Sequence, residues 1–152
     1  MCIMIKTGAI MKTTIEKTKI YPVLKVGENQ LKFISSINRI QEGLKENECT
    51  GYLIREEENI VGFALVRRYD IDKLFIWNLV IDYENQGKGF GRKLVSEIIK
   101  EYSKDGVSIF TTTCHTDNYD ASLFFMKQGF IETSRVESSE VHERNLTKFM
   151  SI

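Results

Sequence analysis

The stretch that most constrains this chain is the block at residues 74–102. Its first part, Leu-Phe-Ile-Trp-Asn-Leu-Val-Ile, is apolar except for Asn78 and long enough for a central strand covered on both faces. Its last part sets Phe90, Leu94, Val95, Ile98, Ile99 and Tyr102 at helical spacing on one side, with Lys93, Glu97, Lys100 and Glu101 opposite. Between them lies Gln86-Gly87-Lys88-Gly89-Phe90-Gly91. Each glycine would cost about 1 kcal/mol inside a helix, so the run belongs where backbone must approach something closely. A glycine turn opening a helix offers unpaired N–H groups and the positive dipole end, which together make an anion site. Lys88 and Arg92 add positive charge beside it. A tight strand–helix turn without a ligand would satisfy the glycines equally well.

Spacing narrows the anion. A P-loop needs Gly-x-x-x-x-Gly-Lys-Ser/Thr, which is absent, and the dinucleotide fingerprint needs Gly-x-Gly-x-x-Gly. The pattern here is Gly-x-Gly-x-Gly in mid-chain. It resembles the pyrophosphate-binding motif of the GNAT superfamily of N-acetyltransferases, Arg/Gln-x-x-Gly-x-Gly/Ala, through Gln86, Gly89 and Gly91. A second motif of that superfamily, Asn-x-x-Ala-x-x-Leu/Phe-Tyr followed by Gly-Phe, is matched in spacing by Asn118, Ala121, Phe124, Phe125, Gly129 and Phe130. Residues 30–34 resemble bacterial polyamine-type acetyltransferases.

Reading the chain in order gives the same architecture. Residues 14–20 predict a first strand ended by Tyr21-Pro22, and 23–26 continue as an extended segment. A helical region follows over 28–46, with Leu31, Ile34, Ile37 and Leu44 as its buried positions. Strands are predicted over 51–55 and 60–68 around a charged turn, the second with a small-residue face at Gly62 and Ala64. After the central helix, Gly106 is a stop and 107–113 a strand. Asp117-Asn118 starts a helix over 121–128 that Gly129 closes, and 130–136 and 141–149 form a final strand pair. Residues 1–12 read as a loose leader and 13–152 as one domain, large enough to bury roughly two thirds of its unfolded surface.

The resemblance implies an α/β (α+β) fold: a mixed sheet of six to seven strands splayed at its centre, flanked by three to four helices. It implies acetyl-CoA as cosubstrate. The main chain of Leu79, Val80 and Ile81 would meet the pantetheine arm, Gln86, Gly87, Lys88, Gly89, Phe90, Gly91 and Arg92 the pyrophosphate, and Asn118 the cofactor from the far side. The superfamily's tyrosine acid falls on Phe125 and its frequent glutamate base on Phe75, so both side chains lack that chemistry. His115 and Asn78 are the candidate catalytic replacements, since histidine titrates in a useful range and a buried amide needs partners. Cys114 reads as core packing.

Charge balances, with 21 basic and 21 acidic residues, so no basic face for nucleic acid is expected. Cys2, Cys49 and Cys114 have no metal-ligand spacing, and their odd count argues against a disulfide framework. Residues 1–11 are too short and broken for a membrane span. A cytoplasmic, metal-free N-acetyltransferase is expected, acting on a small primary amine of polyamine-like type. A homodimer stays open, as do a non-catalytic acyl-CoA sensor and acetylation of an aminoglycoside or a protein N-terminus.

Overall fold

The apolar run at 74–81 and the strands around it meet in one mixed sheet in the computed structural model, which describes residues 11–151. The expected leader falls mostly outside those residues. The strands are β1 (Thr13–Thr18), β2 (Cys49–Glu56), β3 (Asn59–Asp70), β4 (Lys73–Ile81), β5 (Ile109–His115), β6 (Ile131–Glu137) and β7 (His142–Phe149). The helices are α1 (Glu28–Leu31), α2 (Ile37–Leu44), α3 (Phe90–Lys104) and α4 (Tyr119–Lys127). The sheet order is β1-β2-β3-β4-β5-β7-β6, antiparallel throughout except for the parallel pair β4–β5.

Two cores cover the two faces. Under α3 and α4 lie Phe90, Leu94, Val95 and Ile98 of α3 with Ala64, Val66, Leu74, Ile76 and Phe110 of the sheet. On the other face, Ile40 and Leu44 of α2 pack on Leu53, Phe63 and Leu65. The buried face of α3 is the one its periodicity predicts, and Gly106 ends the helix at φ 94°. Gly62 fulfils the close-packing expectation, because a Cβ there would stand 2.7 Å from Ile81 Cδ1 and 2.8 Å from Ile54 Cγ2.

The single helical region expected over 28–46 is instead two helices. Ser36 restarts the chain as the N-cap of α2, its Oγ accepting the Arg39 N–H at 3.2 Å. Leu31 and Ile37, expected to be buried, are 61% and 57% exposed; Leu44 is buried as expected, and Ile40 joins it in the core contact. Gly43 does not end α2. It lets Trp77 approach, since a Cβ there would lie 2.9 Å from Trp77 Cζ3. Residues 23–26, expected as an extended segment, carry no regular element. The strand predicted over 107–113 sits two residues later, which makes His115 its last residue rather than one beyond it.

Candidate active site

The site begins where two parallel strands part. β4 and β5 pair from Lys73 with Ile109 to Ile76 with Thr112 and no further. At that last rung Thr112 Oγ1 donates to the Ile76 carbonyl at 2.9 Å. Trp77 follows as the extra residue of a β-bulge, since Val66 faces Ile76 while Leu65 faces Asn78. A bulge bends and twists its strand, and beyond it the main chain of β4 has no β5 partner. The bulge also resets which way side chains point. Leu79 and Ile81 pack into the α3 core with Leu74 and Ile76, whereas Asn78 and Val80 lie opposite Leu65 and Phe63 on the other face.

The resulting wedge is a cleft of about 590 Å³. Its walls are the bulge region of β4, the end of β5, the glycine turn with the start of α3, the start of α4, and residues of α1 and the segment after it. Every expected cofactor-contact residue lines it except Val80, whose side chain is buried on the other face, and Lys88, whose Nζ donates to Asn85 Oδ1 at 3.2 Å.

At one end the backbone is set up for an anion. Gly87 and Gly89 take φ 77° and 87°, the left-handed region that side chains resist. A Cβ at either would meet nothing within 4 Å, so both border open space. Gly89 caps α3 without a side-chain bond, and the first turn carries no acidic residue. Helix N-termini ordinarily favour carboxylates there. Here the free N–H groups of that turn face the cleft beside Arg92, a donor set that fits a pyrophosphate. Gln86 Nε2 donates to the Ile81 carbonyl at 3.4 Å, tying the turn to the strand end. Gly91 lets α3 approach α4, since a Cβ would lie 3.3 Å from the Phe124 ring.

Across the wedge, Asn118 caps α4, its Oδ1 accepting the Ala121 N–H at 3.3 Å. His115 Nδ1 accepts the Asp117 N–H at 3.0 Å, which puts the proton of the neutral ring on Nε2. Its ring lies 5.4 Å from that of Phe33. Arg144 holds the same turn by donating to the Thr116 carbonyl at 3.2 Å. Phe125 is 5% exposed and meets Phe124 and Phe130 edge-on, at 5.1 and 5.2 Å, so it is cleft floor and core together. Phe75 is not among the cleft walls.

Asn78, 6% exposed, has found its partner in Ser35: Oδ1 accepts the Ser35 N–H at 3.2 Å and Nδ2 donates to Ser35 Oγ at 3.5 Å. Ser35, Trp77 and the wall residues Asn29, Phe33 and Ile34 are the part of the site that sequence reasoning missed. The Trp-Asn pair inside an apolar run is the signal that marks the bulge.

Burial pushes the Cys114 thiol up to about 11, and burial aided by Glu46 does the same for Cys49. Both thiols stay protonated at neutral pH. At pH 8 only about a thousandth of each is thiolate, the reactive form, so peptide-resolved mass spectrometry is expected to find neither alkylated by iodoacetamide until the protein unfolds. The unfolded thiols ionise from their ordinary 9.0. Stability is therefore undiminished by these groups below pH 9 and falls as pH rises from 9 towards 11.

Among the described residues, no helix is long and apolar enough to cross a membrane, and no three His, Cys, Asp or Glu gather as a metal site. The model of the acetyltransferase (GNAT) family matches residues 18–130. An L-2,4-diaminobutyric acid acetyltransferase of Halalkalibacterium halodurans is 27% identical over 99 residues, 64% of this chain and 52% of that protein. A ribosomal protein bS18 alanine N-acetyltransferase of Haemophilus ducreyi is 27% identical over 90 residues, 57% of this chain and 61% of that one. The chain thus spans between half and two thirds of the length of the curated relatives it matches. The fold agrees with the crystal structure of a GNAT family acetyltransferase from Elizabethkingia anophelis with acetyl-CoA bound, at TM-score 0.72 and 17% identity over 91% of this chain and 98% of that one. The splayed sheet, the glycine turn and the match over residues 18–130 place this chain in the GNAT family of acetyltransferases.

Proposed function

We propose that this protein transfers the acetyl group of acetyl-CoA to a primary amine of a small molecule. The observation that carries this reading is one cleft holding both a glycine-lined cradle of N–H groups and the unpaired main chain of a parted strand. Acetyl-CoA, when bound, supplies the activated thioester. The glycine turn and the first turn of α3 hold its phosphates, and the free backbone beyond Trp77 orients its arm. Proximity of this kind can supply about 7–11 kcal/mol of the barrier, which is why catalysis does not require a tyrosine at Phe125.

His115 supplies a hydrogen-bond donor. With Nδ1 occupied by the Asp117 N–H, the neutral ring offers Nε2–H to the charge that develops on the carbonyl oxygen or the departing thiolate; the ring keeps that proton, and the amine's proton passes to solvent. His115→Ala is expected to lower kcat by about 10² while acetyl-CoA affinity stays within about twofold. An unchanged kcat would assign the charge stabilisation to the main chain alone.

Among the cleft's lining residues Asp120 is the single carboxylate. One carboxylate suits an acceptor with one spare cation, such as a short diamine, better than a long polyamine with several. The diaminobutyric acid acetyltransferase likeness supports the same size of acceptor.

Thermal melting with acetyl-CoA, followed by thiol-release assays on spermidine, 2,4-diaminobutyrate, an aminoglycoside and an alanine-initiated peptide, tests the proposal. A ligand at 100 times its Kd adds about 2.7 kcal/mol of stability. No shift at millimolar acetyl-CoA ends the acetyltransferase reading, and turnover of the peptide alone ends the small-amine one. Tight binding with no amine acetylated at any pH selects the acyl-CoA sensor, which the apolar Phe125 favours.

A further inference from the structure

The wall of the cleft opposite the glycine turn is not part of a regular element. It comes from residues 32–36, the break between α1 and α2, which bring Phe33 and Ile34 to the cleft. Ser36 Oγ and the Ser36 carbonyl serve α2, accepting from Arg39 and Ile40, and the Phe33 N–H stays within α1. Among the described residues, the hydrogen bonds from this segment to the sheet are the two between Ser35 and Asn78. Asn78 is itself fixed, since it follows the extra residue of the bulge and pairs with Leu65. An apolar side chain at that position would serve the core equally well in packing. A buried carboxamide must be hydrogen-bonded, and this one is spent on the segment's main chain.

We propose that Asn78 is a positioning residue for the acceptor amine: its carboxamide clasps Ser35 and so sets the wall formed by Phe33 and Ile34 at the distance the acceptor requires. The inference rests on the acetyltransferase reading for its substrate and on geometry for the clasp. The cation-rich end of the cleft is taken by Arg92 and the free N–H groups of α3, so the acceptor enters past the other end. The clasp joins that end to the bulge at which β4 parts from β5. It therefore couples the acceptor wall to the strand whose unpaired main chain would hold the acyl arm.

Two measurements on the full chain test this. In Asn78→Ala, exchange of the Ser35 amide, followed by mass spectrometry or NMR, is expected to quicken by at least about tenfold, while protection of α3 stays unchanged. With 2,4-diaminobutyrate and spermidine as acceptors, the amine KM is expected to rise about tenfold with the acetyl-CoA KM within about twofold. Ser35→Ala keeps the main-chain bond to Oδ1 and is expected to show a small effect, and the double variant is expected to match Asn78→Ala alone. A merely structural role would move both KM values and the melting temperature together. Unchanged Ser35 exchange, additive variants, or an acetyl-CoA KM that rises with the amine's would overturn the proposal. If neither amine turns over, the choice of acceptor fails by itself, and the exchange measurement still decides the clasp.

Discussion

Replacing Gly89 with valine is expected to abolish the stabilisation by acetyl-CoA, weakening binding at least 100-fold. Gly89 sits at φ 87° as the residue from which α3 begins. A β-branched side chain resists that conformation, at a cost of about 1–2 kcal/mol. Its Cβ would also stand in the open space that the free N–H groups face, where nothing of the protein comes within 4 Å. The fold has no clash to relieve, so the damage falls on the ligand. Gly106 provides the matched control. It ends the same helix at φ 94°, also with nothing within 4 Å of a built Cβ, and it lies outside the cleft walls. Gly106→Val carries the same kind of backbone strain. It should lose similar stability without ligand and keep the acetyl-CoA shift. Calorimetric titration of both variants separates the two effects, and equal loss of binding would show that strain rather than occupancy is responsible.

The largest stability effect is expected at Gly51 of β2. A Cβ there would lie 2.7 Å from the Thr18 carbonyl oxygen, 2.7 Å from Leu44 Cδ2 and 3.1 Å from Phe63 Cε1. Leu44 can shift, but a backbone carbonyl cannot retreat without opening the β1–β2 ladder, in which Thr18 pairs with Gly51. Overpacking of this kind costs about 1–3 kcal/mol for one added group. Gly51→Val should reach the upper end and lower Tm by about 6–12 °C in a domain of this size. Gly62→Ala is the comparison. Its two nearest clashes are with side-chain methyls of Ile81 and Ile54, and the nearest backbone atom, the Val80 carbonyl oxygen, stands farther off at 3.2 Å, so it should cost less. Denaturant unfolding of the two variants would rank them, and the reverse order would contradict the packing argument.

The parts of the fold that were legible in the sequence are those whose cause is local. The α3 stripe, the Asn118 cap, and the stops at Gly106 and Gly129 each depend on residues within a turn or two, and each stands where periodicity put it. The break at 32–36 was hidden because Leu31, Ile34 and Ile37 keep helical spacing through it. Only the Ser36 cap and the pull of Asn78, far along the chain, interrupt the helix there. The bulge at Trp77 was hidden for a related reason. With apolar residues on both sides of it, the strand offers no alternation from which a change of face could be read. Hence nothing in the residue types showed that Leu79 and Ile81, rather than Asn78 and Val80, turn towards α3 beyond the bulge. The glycine turn was legible because positive φ and free N–H donors follow from residue type. The cleft wall at residues 32–36 was not, because irregular backbone held by one distant side chain leaves no pattern.

The four-residue pairing of β4 with β5 also orders events during folding. On one side of it, β2, β3 and β4 form a meander joined by two tight turns, so only short loops must close there, while β1 reaches β2 across α1 and α2. On the other, β7 must come between β5 and β6, and β5 must find β4 across the length of α3. Contacts that close short loops form first and non-local ones last. The meander is therefore expected to assemble early, and the parallel seam late. Because the cleft lies in that seam, it does not exist until the two halves have met, and acetyl-CoA present during refolding should leave the early phase unchanged and hold only the final one.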